Sequence, residues 1–379
     1  MRIAHLCTDP GVPYAGTKGA SVHVTELVGA LAGEGAEVLA LVSGVAGGAL
    51  LPPPGVAVEV LPDSRGRGGA AARVAEEPAR RQWIQERLED FGAEVLYERL
   101  ALHSAAGSVA ARQIGIPHLV ELNAPLPEEA ERYRALERPA DAERLEAATL
   151  TGAELVLAVS PPLAAYARRR GARRTAVLTN AVAIERYPER RPMERMRPVA
   201  VFAGRVRAWH GMETVAAAWR VLGDTAPELL VVGDPGESRT TLDSVGAELM
   251  GTIPHKEMPA ALAEADIGLA PYAADAPEYY SPLKLFEYMA AGLGVVASDL
   301  PAVRDVVSER TAVLIPKGDP DALAAAVAAL SADFDRRRRL GQAARALVAA
   351  EHTWPHRARQ VLAAAASSRE ATDRKLVRT

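Results

Sequence analysis

A chain of 379 residues is long enough for two to three domains of ordinary size. Its 44 Lys plus Arg against 48 Asp plus Glu leave a net charge of −4, which argues against a basic nucleic-acid binder and against retention on an anionic membrane by bulk charge. With 49% hydrophobic residues and one cysteine, Cys7, the chain is neither disordered nor a disulfide scaffold, and it suits a reducing, cytoplasmic compartment.

The chain opens on a short apolar strand, 3–7, without the long apolar stretch of a signal peptide or a membrane span. Further strands are expected at 37–43, 56–61, 94–98, 118–122, 155–159 and 175–179, with amphipathic helices between them. Val24, Leu27, Val28 and Leu31 form one apolar stripe in the first of these helices, expected over 21–31. The pattern restarts at 198–203 and continues at 228–232, 247–250, 267–270, 294–297 and 312–315. A charged, proline-flanked run at 189–198 reads as an interdomain linker. Alternating strands and helices predict two doubly wound α/β domains, 1–190 and 198–353. The arginine clusters 168–174 and 336–339 read as solvated helix faces, and the polar tail 369–379 as a fraying end.

Ligands of open α/β sheets bind at the carboxyl ends of the strands. Three such loops carry glycine, a basic residue and a following helix: 8–19, 204–211 and 271–281. In the third, Ser281 suits an N-cap and Pro282 the first helical position, which sets Lys284 in the first turn. The helix macrodipole disfavours a cation there unless an anion such as phosphate shares the site. Lysine is scarce, with only Lys18, Lys256, Lys284, Lys317 and Lys375, so two of five in these loops favours a phosphate contact over a plain Lys284–Glu287 surface pair. Glu287, one turn in, is placed to accept the hydroxyls of a ribose, or is an ordinary exposed glutamate. Arg205 follows a buried strand and Gly204, where its guanidinium can hold a diphosphate in bidentate fashion. His210 is either an N–H donor to the same anion or a satisfied structural residue. Gly19 allows close approach of a phosphate beside Lys18, or simply a turn. Tyr272, Tyr279 and Tyr280, with Asp275 and Glu278, suit sugar hydroxyls or interdomain packing.

Together these residues resemble the family-4 retaining glycosyltransferases of GT-B fold, over nearly the whole chain. The matching blocks, in order, are Lys18 to Val24, Glu121 to Leu126, Asn180 to Val182, Gly204-Arg205 through His210-Gly211, and Tyr280 to Gly292, the strongest. Trp354 resembles the point where a closing helix, 354–368, crosses back to the N-terminal domain. The resemblance implies two Rossmann-like domains facing a deep cleft, and transfer of a sugar with retention, without a covalent intermediate and without metal or cofactor. The donor, a nucleotide-diphosphate sugar with uridine favoured, would be held by the C-terminal domain. Arg205 and the main chain at Leu283 and Lys284 would take the diphosphate, Gly19 would close from the other domain, and the main chain near Ile253 would meet the base. Tyr279, Tyr280, Ser281 and Pro282 would complete the donor site. Asn123, Tyr14 and Ser21 are the acceptor-side candidates, and Asn123, Arg205 and Lys284 the catalytic ones.

The sequence departs from the family at three places. Tyr279 holds the position of the first of two paired glutamates, with Glu278 as its neighbour and substitute. His210 replaces a lysine whose charge Lys284 can supply. Asn123 stands where a histidine is usual, and can hydrogen-bond a sugar but not act as a strong base. A nicotinamide-dependent dehydrogenase is the main alternative, on the G-x-G-x-x-A run at 66–71, although four residues separate that run from its strand. A pyridoxal-dependent phosphorylase has only Lys284 to carry its cofactor, and a non-catalytic nucleotide-sugar binder fits as well. The acceptor loops, 65–73 and 126–138, leave small molecules, lipid-linked glycans and polysaccharides open, and nothing speaks to oligomeric state.

Overall fold

A computed structural model describes residues 1–46, 52–62, 69–189 and 194–376. Most of the expected linker core, 190–193, and the glycines at 66 and 68 lie outside them. The chain divides into two compact units, Met1–Thr179 together with Trp354–Thr379, and Asn180–Thr353.

The first unit is built on seven parallel strands: β1 (Arg2–Cys7), β2 (Glu37–Val42), β3 (Val56–Val60), β4 (Val95–Arg99), β5 (His118–Leu122), β6 (Leu155–Ala158) and β7 (Thr175–Val177). Their order is β3-β2-β1-β4-β5-β6-β7, so the sheet reverses direction of growth at β1. Parallel neighbours need crossovers, and helices on both faces explain why the strands are apolar nearly throughout. Ala4, Leu6, Leu39, Leu41 and Leu96 pack against Ile84, Leu88 and Ala110 on one face.

The Gly19–Gly33 helix buries Val24, Leu27, Val28 and Leu31, the stripe its periodicity predicts. It begins two residues earlier than expected because the Val22 N–H already reaches the Lys18 carbonyl at 2.9 Å. The closing helix, Trp354–Leu376, belongs to this unit. Its Trp354 ring meets the His23 ring edge-on at 4.9 Å, and Arg357 donates to the carbonyl and hydroxyl of Thr179 at 2.6 and 2.7 Å. It runs on past 368 instead of fraying, with Ser368 buried and Arg369 paired to Glu94.

The second unit has six parallel strands: β8 (Val199–Ala203), β9 (Glu228–Val232), β10 (Glu248–Gly251), β11 (Ile267–Ala270), β12 (Gly294–Ser298) and β13 (Val313–Ile315), in the order β10-β9-β8-β11-β12-β13. Alternate residues of β8 serve two cores. Val199, Val201 and Ala203 pack with Leu285, Phe286 and Met289, while Ala200 and Phe202 pack with Val215, Trp219 and Val327. The arginine clusters are not wholly solvated. Arg337 is buried and donates to the carbonyls of Leu330 and Ser331 at the end of the preceding helix, and Arg170 lies 3.3 Å from buried Glu146 as an ion pair. Among the described residues, no helix is long and apolar enough to cross a membrane.

Candidate functional site

Within the second unit, the carboxyl ends of β8, β9 and β11 and the start of the Leu283–Ala290 helix bring most of the predicted donor residues together. The backbone there is tightly specified. Gly204 has φ +106° and Gly233 φ +136°, and a Cβ on Gly233 would stand 2.4 Å from the Gly204 carbonyl oxygen. Only glycine lets the two turns pass. Tyr288, on the buried side of the helix, accepts the Ala203 N–H at 2.7 Å and donates to the Leu269 carbonyl at 3.2 Å. One phenol thus ties the last residue of β8 to the neighbouring strand, and fixes where Gly204 and Arg205 begin.

Lys284 is the unusual residue. Its stem is partly exposed, but its Nζ is buried and has no hydrogen-bond partner among the described residues. It stands 3.5 Å above the centre of the Phe202 ring and 3.9 Å from where a Cβ on Gly204 would lie. Burial pushes its pKa well below the ordinary lysine value, and the Glu287 carboxylate restores only part of that. The surface ion pair with Glu287 weighed from the sequence is not formed. An ammonium held dry, over an aromatic face and beside a glycine turn, is poised for an anion supplied from outside the protein.

Around it, Arg205 is half-exposed and lies 3.2 Å from Asp234, a carboxylate at the end of β9 that sequence reasoning passed over. His210 accepts the Arg207 N–H through Nδ1 at 3.0 Å, which leaves the ring proton on Nε2. Burial and the nearby Lys284 and Arg207 charges lower its pKa to about 2, so it is a neutral imidazole with a structural hydrogen bond on Nδ1.

The aromatic residues of this loop pack on one another. Tyr280 stacks between Trp209 and Tyr272, at 5.0 and 5.7 Å, and Tyr279 leans on Tyr280 at 4.6 Å. Glu278 is largely exposed and lies 3.8 Å from Lys317. Ser281 does not cap the helix. Its carbonyl and hydroxyl both accept from the Asn180 amide, at 2.7 and 3.3 Å, and Pro282 takes the N-cap position with ψ 126°, so the helix starts one residue later, at Leu283.

Glu287 sits on the partly exposed side of that helix, as its stripe predicts. Its Oε1 accepts from His255 Nε2 at 2.8 Å. His255 lies in the short turn His255–Glu257 just after Ile253, whose side chain packs against the core. Nothing in the local sequence marks His255, because its partner is 32 residues away.

The first unit holds a separate, buried polar hub. Glu121, at the end of β5, accepts from His23 at 2.8 Å, Tyr97 at 2.6 Å, Arg99 at 2.7 Å and the Asn123 amide. Burial alone would raise its pKa, but His23, Arg99 and Tyr97 together hold it well below the carboxylate range. Asn123 therefore has one amide N–H engaged, with its second N–H and its carbonyl oxygen remaining. His5, fully buried and stacked on Tyr97 at 5.7 Å, has its pKa lowered by burial to about 4. Two acceptor-side candidates are corrected. Tyr14 and Ser21 are buried with their hydroxyls shielded from solvent, because the 8–19 loop folds over the first turn of the helix, where Ala15 N–H bonds to Thr25 at 2.8 Å. Lys18 is exposed and donates to the Gly11 carbonyl at 3.3 Å, and Gly19 begins the helix without an acidic residue in its first turn. Among the described residues, no group of three or more His, Cys, Asp or Glu side chains could hold a metal ion.

Residues 197–333 match the family described as glycosyl transferases group 1, and residues 18–183 the glycosyl transferase 4-like domain. Alpha-maltose-1-phosphate synthase of Mycolicibacterium smegmatis is 30% identical over 181 residues, 44% of this chain and 47% of that protein, so the match spans about half of this curated relative. Among solved structures, a sucrose-phosphate synthase from Thermosynechococcus elongatus is similar at TM-score 0.73 and 21% identity, over 96% of this chain and all of that one. Anabaena HepE, solved in complex with UDP and glucose, is similar at TM-score 0.73 and 16% identity, over 97% of this chain and all of that one. The two parallel-sheet domains match the GT-B glycosyltransferase fold.

Proposed function

Because the chain belongs to the group 1 glycosyltransferases, we propose that it transfers a hexose, with retention, from a nucleotide-diphosphate sugar to a hydroxyl of a small-molecule, lipid-linked or glycan acceptor. The observation that carries this is the unpartnered, buried ammonium of Lys284 beside the Gly204 turn. A diphosphate supplies the charge that Lys284 lacks, and Arg205 adds a bidentate donor at the mouth of the same turn. Lys284 thereby takes over the role of the lysine that His210 replaces, while neutral His210 offers its Nε2–H. A uridine donor is favoured, in keeping with the UDP bound to Anabaena HepE. Gly19 and Lys18 are proposed to meet the donor from the first unit, and the Ile253 main chain to meet its base.

In the reaction proposed, the acceptor oxygen forms a bond to the anomeric carbon on the face that the diphosphate leaves. The carbon–oxygen bond to the diphosphate breaks, its electron pair stays on the diphosphate, and the hydroxyl proton passes to a diphosphate oxygen. Arg205 and Lys284 stabilise the charge that develops, so positioning and electrostatics supply the rate without a metal ion. Asn123 offers its carbonyl oxygen to a hydroxyl and acts as an orienting group rather than a base. The buried thiol of Cys7, its pKa pushed up to about 12 by burial, takes no part, and suits a reducing cytoplasm.

The test is thermal stabilisation by UDP, GDP, ADP, dTDP and NAD, with and without magnesium, followed by turnover of the matching nucleotide sugar. A metal-independent shift with one nucleoside diphosphate is expected. A shift with NAD alone overturns the proposal in favour of a dehydrogenase, and binding without turnover on any acceptor class reduces the chain to a nucleotide-sugar binder.

A further inference from the structure

We infer that His255 is a positioning residue for nucleotide recognition, which sets the Glu287 carboxylate for the ribose and so determines how strongly the protein prefers ribonucleotides over deoxyribonucleotides. It rests on the ribose role proposed for Glu287. Glu287 is the second residue past Leu285 on a helix whose other face is locked in the core, so its Cα is fixed. Its side chain still has three rotatable bonds, and a carboxylate free to swing would lose part of any hydrogen bond to entropy. His255 removes that freedom. Its Nε2–H donates to Oε1 at 2.8 Å, and among the described residues no other side-chain hydrogen bond to Glu287 is formed, so Oε2 is left without a side-chain partner there. The pair is neither deep nor fully exposed, with the His255 and Glu287 side chains 25% and 13% accessible, so the imidazole and the carboxylate both keep some access to solvent.

The imidazole is held in turn by its backbone. Pro254 fixes the residue before it, and the Glu257 N–H bonds to the Pro254 carbonyl at 2.9 Å, closing the turn that carries His255. A carboxylate oriented in this way can accept one ribose hydroxyl on Oε2 and a second on the remaining lone pair of Oε1. Removing His255 leaves the charge of Glu287 in place but lets it move. The loss therefore falls on the sugar contacts, not on the diphosphate.

The experiment measures, by titration calorimetry on the full chain, the affinities of UDP, ADP and GDP and of their 2′-deoxy counterparts. The proteins compared are the wild type, Glu287→Ala, His255→Ala and His255→Gln, whose Nε2 can reproduce the donor. The ribo-to-deoxy preference of the wild type is expected at about tenfold, the value of one charge-assisted hydrogen bond. It should fall to about twofold or less in both alanine variants and return to within about twofold of wild type in His255→Gln. A merely structural role for His255 would weaken all six ligands alike and leave the ratio intact, which overturns the inference. Tighter ribonucleotide binding by His255→Ala would also overturn it, since His255 would then be a placeholder that the ribose displaces. If Glu287→Ala keeps the wild-type ratio, or no nucleotide binds, it is the ribose role of Glu287 that fails, and the inference falls with it. If Glu287→Ala loses the ratio and His255→Ala does not, the inference alone fails.

Discussion

Replacing Lys284 by methionine keeps the length of the side chain and removes its charge. The ammonium is buried without a partner, and leaving such a group unsatisfied costs about 1–3 kcal/mol. Its contact with the Phe202 ring returns about 0.5–2 kcal/mol of that. The difference leaves the unliganded Lys284→Met protein more stable by about 1 kcal/mol, or a Tm higher by roughly 2–4 °C for a unit of this size. The nucleotide response should move the other way. UDP at about 100 times its Kd stabilises the wild type by about 2.7 kcal/mol. Loss of a charged hydrogen bond raises Kd at least about tenfold, so the same UDP concentration stabilises the variant by about 1.4 kcal/mol or less. Differential scanning calorimetry of both proteins, with and without UDP, reads both effects. A destabilised Lys284→Met protein that keeps the full UDP response refutes the reasoning.

Three further outcomes are expected. Arg205→Ala should weaken UDP binding about tenfold, whereas Asp234→Asn, which frees Arg205 from a half-exposed pair worth at most about 1 kcal/mol, should tighten it by up to about fivefold; equal losses in the two would show that the pair binds as a unit. Tyr288→Phe leaves the Ala203 N–H without its acceptor, and should cost about 1–3 kcal/mol in denaturant unfolding with little change in m-value. Glu146, buried beside Tyr166 and Arg170, has its pKa raised by burial from 4.5 to about 7. The folded state therefore binds more protons than the unfolded state between those values, and the contribution of Glu146 to stability, complete below 4.5, is lost as pH rises through 7. It amounts to about 3 kcal/mol at 1.36 kcal/mol per unit. Unfolding curves from pH 4.5 to 8 should show that decline in the wild type and a correspondingly smaller one in Glu146→Gln; parallel profiles would exclude it.

The sequence by itself determined the two sheets, because strand and helix periodicities are local and parallel sheets need apolar strands covered on both sides. The first helix buries the stripe its spacing named, and the strands fall within a residue or two of their expected ends. It also marked Gly204, Arg205, Lys284 and Glu287, since a glycine after a buried strand and a cation at a helix start carry their physical meaning within a few residues. Only the tertiary structure decided what each side chain meets. Ser281 looked like a cap until Asn180, 101 residues away, took its carbonyl and hydroxyl. Tyr14 and Ser21 looked available until the loop before the first helix buried them. His255 and Asp234 carry no local signal, and become part of the site because chain crossovers set them beside Glu287 and Arg205. Lys284 shows the division most plainly. Its position in the first turn is local, but the buried, unpartnered state of its ammonium is made by Phe202 on β8 and Gly204 in the turn after it, and burial is a property of the packed molecule that no single segment can encode.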